Sequence, residues 1–305
     1  MTASTPKLPV YWHPDIALHD WSAAHVAMHE ERLGLVAAHL LSQPWAQPVQ
    51  PRPAERNAFA LVHDIAYLEL LEKTAELAPG QHYAFDGETR ANRHTWQTLQ
   101  LSAGAWLEAV DSALREQVPA AFCVGYAGHH ARRNRAAGFC FTNPAAMATQ
   151  YALEAGAERV AILDIDTHAG DGTVLSVLDE PRVFFGETYQ PGFPGAFLSA
   201  PLREGIQRFK VTDSTRFQSY WERLFAQVRD FAPSLVLVSA GFDAHFQDPL
   251  TSIGVPERIY TWLGRQLAEL PCPVVCGLEG GYNLDSTRRS AELFCGELAL
   301  KGPAV

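Results

Sequence analysis

Cysteine is scarce: five in 305 residues, an odd number in a long chain, which excludes a small disulfide-stapled scaffold. Cys123, Cys272 and Cys276 sit in or beside apolar runs, so the five are expected to be reduced, mostly buried thiols of a cytoplasmic protein. The pair in "CPVVC" has the wrong spacing for a zinc knuckle and reads as a strand. Long apolar runs are missing too. No stretch approaches the length of a membrane-spanning helix, and "MTASTPKLPV" has no hydrophobic signal core, so no membrane association is expected. Positive charge is in deficit, with 24 Lys and Arg against 34 Asp and Glu and a net charge of -10. No nucleic-acid partner is expected on that balance, and cationic substrates fit better. No internal repeat is visible. The one linker-like stretch, "QPWAQPVQPRPAERN", is too short and too near the N-terminus to separate two domains, and reads as an ordered surface loop.

What is present is a globular composition, 47% hydrophobic and 19% charged, able to bury a sizeable core. Residues 1–305 are read as one domain, with residues 1–9 flexible. Short apolar runs alternate with helical patterns. The runs are "AAFCVG", "RVAILDID", "RVFFGET", "SLVLVSAG" and "CPVVCGLEG", nearly continuous in apolar residues, as strands covered on both faces should be. Helices are expected over "AAHVAMHEERLGLVAAHLLSQ", "ERNAFALVHDIAYLELLEKTAEL", "TWQTLQLSAGAWLEAVDSALRE", "NPAAMATQYALEAG" and "FQSYWERLFAQVRDF". The fold class is therefore α/β, an open and mostly parallel sheet flanked by helices.

Four of the runs discharge glycine and ionisable groups at their C-terminal ends: "YAGHHARRN", "DIDTHAGDG", "FDAHFQDP" and "LEGGYN". In an open parallel sheet those ends lie on one edge, where ligands bind. Asp164, Asp166 and His168 alternate and would share a face of an extended strand end. Asp166, His168 and Asp243 would together offer two carboxylates and an imidazole, a set suited to zinc or a similar divalent ion with a position left for water and substrate. His129 and His130 give two imidazoles from one tight turn, and Asp164 and Asp171 are candidate carboxylate partners for them. Tyr282, after two glycines, can donate its hydroxyl to an oxyanion. Singly, each feature has a plainer reading: a surface histidine pair, a structural ion site, a helix cap at Asp243, a turn tyrosine. Together, after four strands, they point to metal-assisted hydrolysis of an amide.

At these residues the sequence resembles the zinc-dependent histone deacetylase family, including bacterial deacetylase-like amidohydrolases and acetylpolyamine amidohydrolases. The resemblance runs from "YWHPDIALHD" through "LVHDIAYLELL", "GHHARRNRAAGFCFTNPAA", "LDIDTHAGDGT", "GFPG" and "SAGFDAHFQDPL" to "LEGGYN". It implies an arginase/deacetylase-type fold with Zn2+ on Asp166, His168 and Asp243. His129 and His130 match the tandem histidines, with His130 where the general base stands, and Tyr282 matches the transition-state tyrosine. Phe139, preceded by Gly138, and Phe193 match the aromatics that sandwich a linear acyl-lysine stem. A structural K+ is implied at Asp164, Asp166 and His168. Three departures stand out. "GYAGHH" replaces Pro-Pro-Gly-His-His and leaves a less rigid turn, Ala169 replaces a second histidine, and "ETYQPGFPGAF" diverges from a His-containing loop. Leu250 stands where polyamine-selective animal members carry glutamate, which favours an acylated lysine side chain as substrate. Asp86 and Glu88 in a rim loop could instead serve an acetylated polyamine. The basic run Arg132, Arg133 and Arg135 either lines the rim or is solvated. A catalytically dead acyl-lysine reader would have no need of Tyr282 and both histidines. A dimetal ureohydrolase would need more carboxylates. Self-association into a homo-oligomer is left open.

Overall fold

An apolar residue at every position of a strand needs cover on both faces, and the five apolar runs are organised to provide it. The computed structural model describes residues 7–19, 31–192, 198 and 202–302. Its first part holds β1 (Leu8–Tyr11), α1 (Arg32–Leu41), β2 (Ala46–Val49), α2 (Arg56–Ala60), α3 (Ile65–Lys73), a hairpin of β3 (Tyr83–Ala84) and β4 (Arg90–Ala91), and the long α4 (Thr95–Arg115). Strands and helices then alternate: β5 (Ala120–Cys123), α5 (Pro144–Glu154), β6 (Val160–Asp164), α6 (Asp171–Val177), β7 (Val183–Tyr189), β8 (Ile206–Lys210), α7 (Phe217–Phe231), β9 (Leu235–Ala240), α8 (Arg258–Ala268), β10 (Val274–Leu278) and α9 (Leu284–Leu298).

Among the described residues eight strands form one parallel sheet in the order β2-β1-β5-β10-β9-β6-β7-β8. Alternate residues of its central strands enter opposite cores. Phe122, Leu163, Val236, Val238 and Val274 pack with α1, α7, α8 and α9, while Ala121, Ile162, Leu235, Leu237 and Val275 pack with α5, α6 and much of α4. This is the single-domain, helix-flanked α/β architecture expected. Among the described residues no helix is long and apolar enough to cross a membrane.

Three local expectations are corrected. Leu8 and Pro9, placed in a flexible terminus, belong to β1, which is buried between β2 and β5. The Pro-rich stretch contains β2, an edge strand in which Pro48 is tolerated because only one side of the strand must pair. The pattern over residues 55–77 breaks into α2 and α3 because Asp64 adopts an extended conformation (φ -68°, ψ 140°) and its N–H bonds Arg133 O at 2.9 Å. The break lets the His63 ring turn inward, where its Nε2 accepts the Asn143 N–H at 3.0 Å.

Candidate metal and catalytic site

The four motif-bearing strands β5, β10, β9 and β6 are contiguous at the centre of the sheet, so their C-terminal loops meet at one edge. The strand β6 ends at Asp164, and Asp166 and His168 lie in the loop beyond it. The expected shared face is therefore divided. Asp164 turns to His129, while Asp166 and His168 converge with Asp243 from the end of β9. The His168 Nδ1 lies 3.0 Å from Asp166 Oδ1 and 2.9 Å from Asp243 Oδ2. One ligand atom from each of the three falls within 4.8 Å of the others.

Backbone groups fix this triad. Asp166 accepts the N–H groups of His168 and Gly280, both at 2.8 Å, and Asp243 Oδ1 accepts that of Thr167 at 2.8 Å. Asp243 Oδ2 is buried and, apart from the His168 Nδ1 beside it, has no hydrogen-bond donor. A buried carboxylate oxygen left in that condition is costly unless a cation meets it. Gly280 completes the cradle, since a Cβ there would lie 2.4 Å from Asp243 Oδ2 and 2.6 Å from Asp166 Oδ2. Burial opposes the charged form of His168, but bonds and attraction from both carboxylates outweigh it and raise the ring's pKa to about 10. Two carboxylates and an imidazole that favour positive charge this strongly fit a divalent ion. A second group, His129, Cys140 and Glu279, is as compact, but Glu279 Oε2 accepts the Gly128 N–H, His129 Nδ1 meets Asp164 and Cys140 Sγ donates to Gly138 O.

The rings of His129 and His130 lie 4.0 Å apart and are oriented separately. The His129 Nδ1 meets Asp164 Oδ2 at 3.0 Å, and His130 Nδ1 meets Asp171 Oδ1 at 2.9 Å. Their electrostatics diverge. Burial disfavours the charged form of His129, but Asp164 and Asp166 overcome it and hold its pKa well above the ordinary value. Burial, then the neighbouring His129 charge, push His130 down to about 4 despite its bond to Asp171. The turn beneath the pair is better tied than "GYAGHH" suggests. The Glu279 Oε2 accepts the N–H groups of Gly128 (2.6 Å) and His129 (3.3 Å), and Tyr126 bonds Ser102 Oγ through its N–H and the buried His19 ring through its hydroxyl.

A pocket of about 290 Å³ opens onto this edge, and His130, His168, Gly138, Phe139, Leu250 and Tyr282 are in its wall. Phe139 adopts a left-handed φ of 68°, rare for an aromatic residue, and Thr89 Oγ1 holds its N–H at 3.1 Å. Burial, reinforced by Asp166 and Asp243, raises the Tyr282 pKa well above its ordinary value and keeps the hydroxyl protonated. Asp86 and Glu88 line the same pocket from the β3–β4 hairpin, as do Arg132 and Arg135. Arg132 is bound to Asp171 Oδ2 (2.9 and 2.6 Å), whereas Arg133 pairs with Asp64 away from the pocket. Phe193 lies outside the described residues.

Sequence reasoning missed Arg32 and the role of Glu279. The fully buried Arg32 donates to the carbonyls of Glu279 and Gly281, and its guanidinium lies 5.8 Å from the Tyr282 ring centre. A lone arginine in an amphipathic pattern carries no signal of such a reach. Glu279 was legible only as part of "LEGGYN".

Comparisons with known proteins identify the family and the fold. Residues 25–298 match the family described as the histone deacetylase domain. An uncharacterized protein of Synechocystis sp. is 34% identical over 85% of this chain and 89% of its own length. The acetylpolyamine amidohydrolase of Burkholderia pseudomallei is 30% identical over 96% of this chain and 99% of its own. Among solved structures, the HDA15 HD domain aligns with a TM-score of 0.89 at 25% identity, over 99% of this chain and 92% of that one. The acetylpolyamine aminohydrolase from Burkholderia pseudomallei aligns at 0.86 and 26% identity, over 96% and 99%.

Proposed function

This chain belongs to the histone deacetylase family, and from that membership and its site we propose that it is a zinc-dependent amidohydrolase removing an acetyl or other acyl group from the side-chain amine of lysine in a protein or peptide. The observation that carries the reading is the convergence of Asp166, His168 and Asp243 beside a pocket whose wall includes His130, His168 and Tyr282. When bound by the triad, zinc would supply Lewis acidity toward the amide carbonyl and toward water. His130, anchored through Nδ1 by Asp171, leaves Nε2 to take a proton from water and return one to the departing amine. His129, held charged by Asp164 and Asp166, adds a fixed positive field. Tyr282 donates to the oxygen on which negative charge develops, a contribution of roughly 10²- to 10³-fold. A pocket wall with Phe139 and Leu250 suits an alkyl stem by burial.

One observation favours a second reading, an acetylated polyamine as substrate. Asp86 and Glu88 line the pocket and would attract a polycation, and two curated relatives carry the name acetylpolyamine amidohydrolase. The deciding experiment is acyl release by the zinc-loaded protein from acetyl-lysine peptide, longer acyl-lysine peptides, acetylspermidine and acetylputrescine, with Tyr282→Phe as control. Tyr282-dependent cleavage fastest on the peptides supports the first reading, and fastest on the acetylpolyamines supports the second. Zinc binding without cleavage of any substrate would sink both.

A further inference from the structure

Buried carboxylates need a cation within reach. Around the metal triad, Asp164, Glu187 and Glu279 are also buried. The family resemblance implies a monovalent ion beside Asp164, Asp166 and His168, yet the residues there do not fit an exchangeable ion. Both Asp164 oxygens are engaged, Oδ2 by His129 at 3.0 Å and Oδ1 by the Asp166 N–H at 3.2 Å. Across the sheet, Asp164 on β6 is in register with Glu187 on β7, which is in register with Arg208 on β8. The Glu187 Oε2 accepts the N–H of Gly170 at 2.8 Å, and its Oε1 receives the Arg208 Nε. The Arg208 side chain is 6% exposed, with its guanidinium 4.8 Å from the Tyr189 ring centre. A built-in cation therefore stands one strand beyond the last carboxylate of the row.

A second guanidinium lies between the end of α6 and the start of β7. The Arg203 Nε donates to Leu178 O at 3.0 Å, and its Nη2 donates to Val177 O at 3.3 Å and to Val183 O. Converging backbone carbonyls at a helix end are the surroundings that otherwise replace the hydration shell of a monovalent ion. Here an arginine fills them. The braced elements matter for the site: α6 begins with Asp171, the partner of His130, and β7 carries Glu187, which holds the Gly170 turn between His168 and Asp171.

We propose that the guanidinium groups of Arg208 and Arg203 are the resident monovalent cations of this protein, so that it holds its divalent metal and its fold without exchangeable K+ or Na+. Both arginines are positioning residues, acting through Glu187, the Gly170 turn and α6. The inference rests on the zinc-dependent reading only through metal affinity, since its effect on melting temperature is independent of the reaction.

The test measures zinc affinity by chelator competition, and melting temperature, for the full chain in KCl, NaCl and tetramethylammonium chloride at equal ionic strength. Wild type should show no saturable preference for K+ or Na+ in either quantity. Arg208→Ala should lose zinc affinity by about ten- to a hundredfold, with part of the loss recovered by KCl or by low guanidinium chloride, and Arg208→Lys should lose less. Arg203→Ala should melt lower and regain part of the difference in KCl. A saturable, K+-specific or Na+-specific gain in wild type overturns the proposal. So does a folded Arg208→Ala with wild-type zinc affinity, or one whose loss neither cation restores. Should Arg208→Ala not fold, the wild-type salt series and Arg203→Ala decide. Failure to cleave any acyl substrate would leave these outcomes unchanged and count only against the proposed function.

Discussion

Tyr282 is held by its own backbone, because Asp248 Oδ2 accepts its N–H at 2.7 Å while burial keeps its hydroxyl protonated. Replacing it with phenylalanine removes one donor and little packing. Tyr282→Phe should therefore bind metal as wild type does and lose about 10²- to 10³-fold in kcat, and near-normal turnover would mean that another group serves the oxyanion. Asp166 is different in kind, since both its oxygens accept backbone N–H groups besides facing the triad. Asp166→Ala should abolish metal binding and activity together, and retained stoichiometric zinc in a metal assay would refute the ligand set. His63 contributes to stability and not to chemistry. Burial lowers its pKa to about 4, against its bond to the Arg132 carbonyl, so the native state keeps it neutral while the unfolded chain protonates near 6.5. The unfolded state then binds more protons across that interval, and stability should fall as pH drops from about 6.5 toward 4, by about 3 kcal/mol from this residue. Denaturant titrations of wild type and His63→Gln across that range should converge at low pH. Parallel curves would remove His63 as the cause.

At the scale of elements, legibility followed the strength of the local pattern. The five apolar runs are strands because covered parallel strands are apolar at nearly every position, and α4, α5 and α7 fall within a residue or two of the expected spans. The short elements were not legible. β1 and β2 have four residues each, and α6 starts inside the charged motif, where Asp171 and Gly172 read as site chemistry. α8 and α9 carry apolar residues at helical spacing among several arginines, without a clear break from the flanking loops. The end of α8 offers a test at this scale. Lys301 is 7% exposed, and its Nζ donates to the carbonyls of Leu267, Ala268 and Leu270. Lys301→Met should cost about 1–3 kcal/mol in chemical denaturation while leaving kcat/KM unchanged, and an unchanged midpoint would show that the cap contributes nothing.

For the whole molecule, the decisive fact is the sheet order, which sets the four motif-bearing strands side by side. The site hangs on loops beyond the strand ends, whereas the two cores lie on the sheet faces below. Metal should therefore stabilise the fold without creating it. At a free zinc concentration about a hundred times Kd, binding adds about 2.7 kcal/mol, so chelation should lower the melting temperature and leave the far-UV circular dichroism intact at 25 °C. Loss of secondary structure on chelation would mean that the loops nucleate the sheet.

From its residues alone, the chain determined the α/β class and the supply of site chemistry: which strands end in Asp, His, Glu and Tyr, and at what short spacing. Those features are local, and local patterns survive in one dimension. Tertiary structure alone decided the division of Asp164 from Asp166 and His168, the row from Asp164 through Glu187 to Arg208, and the reach of Arg32 to Glu279 and Gly281. These depend on strand register and on crossovers spanning up to 249 residues. Register and crossover are products of packing both sheet faces at once, and no short segment carries them.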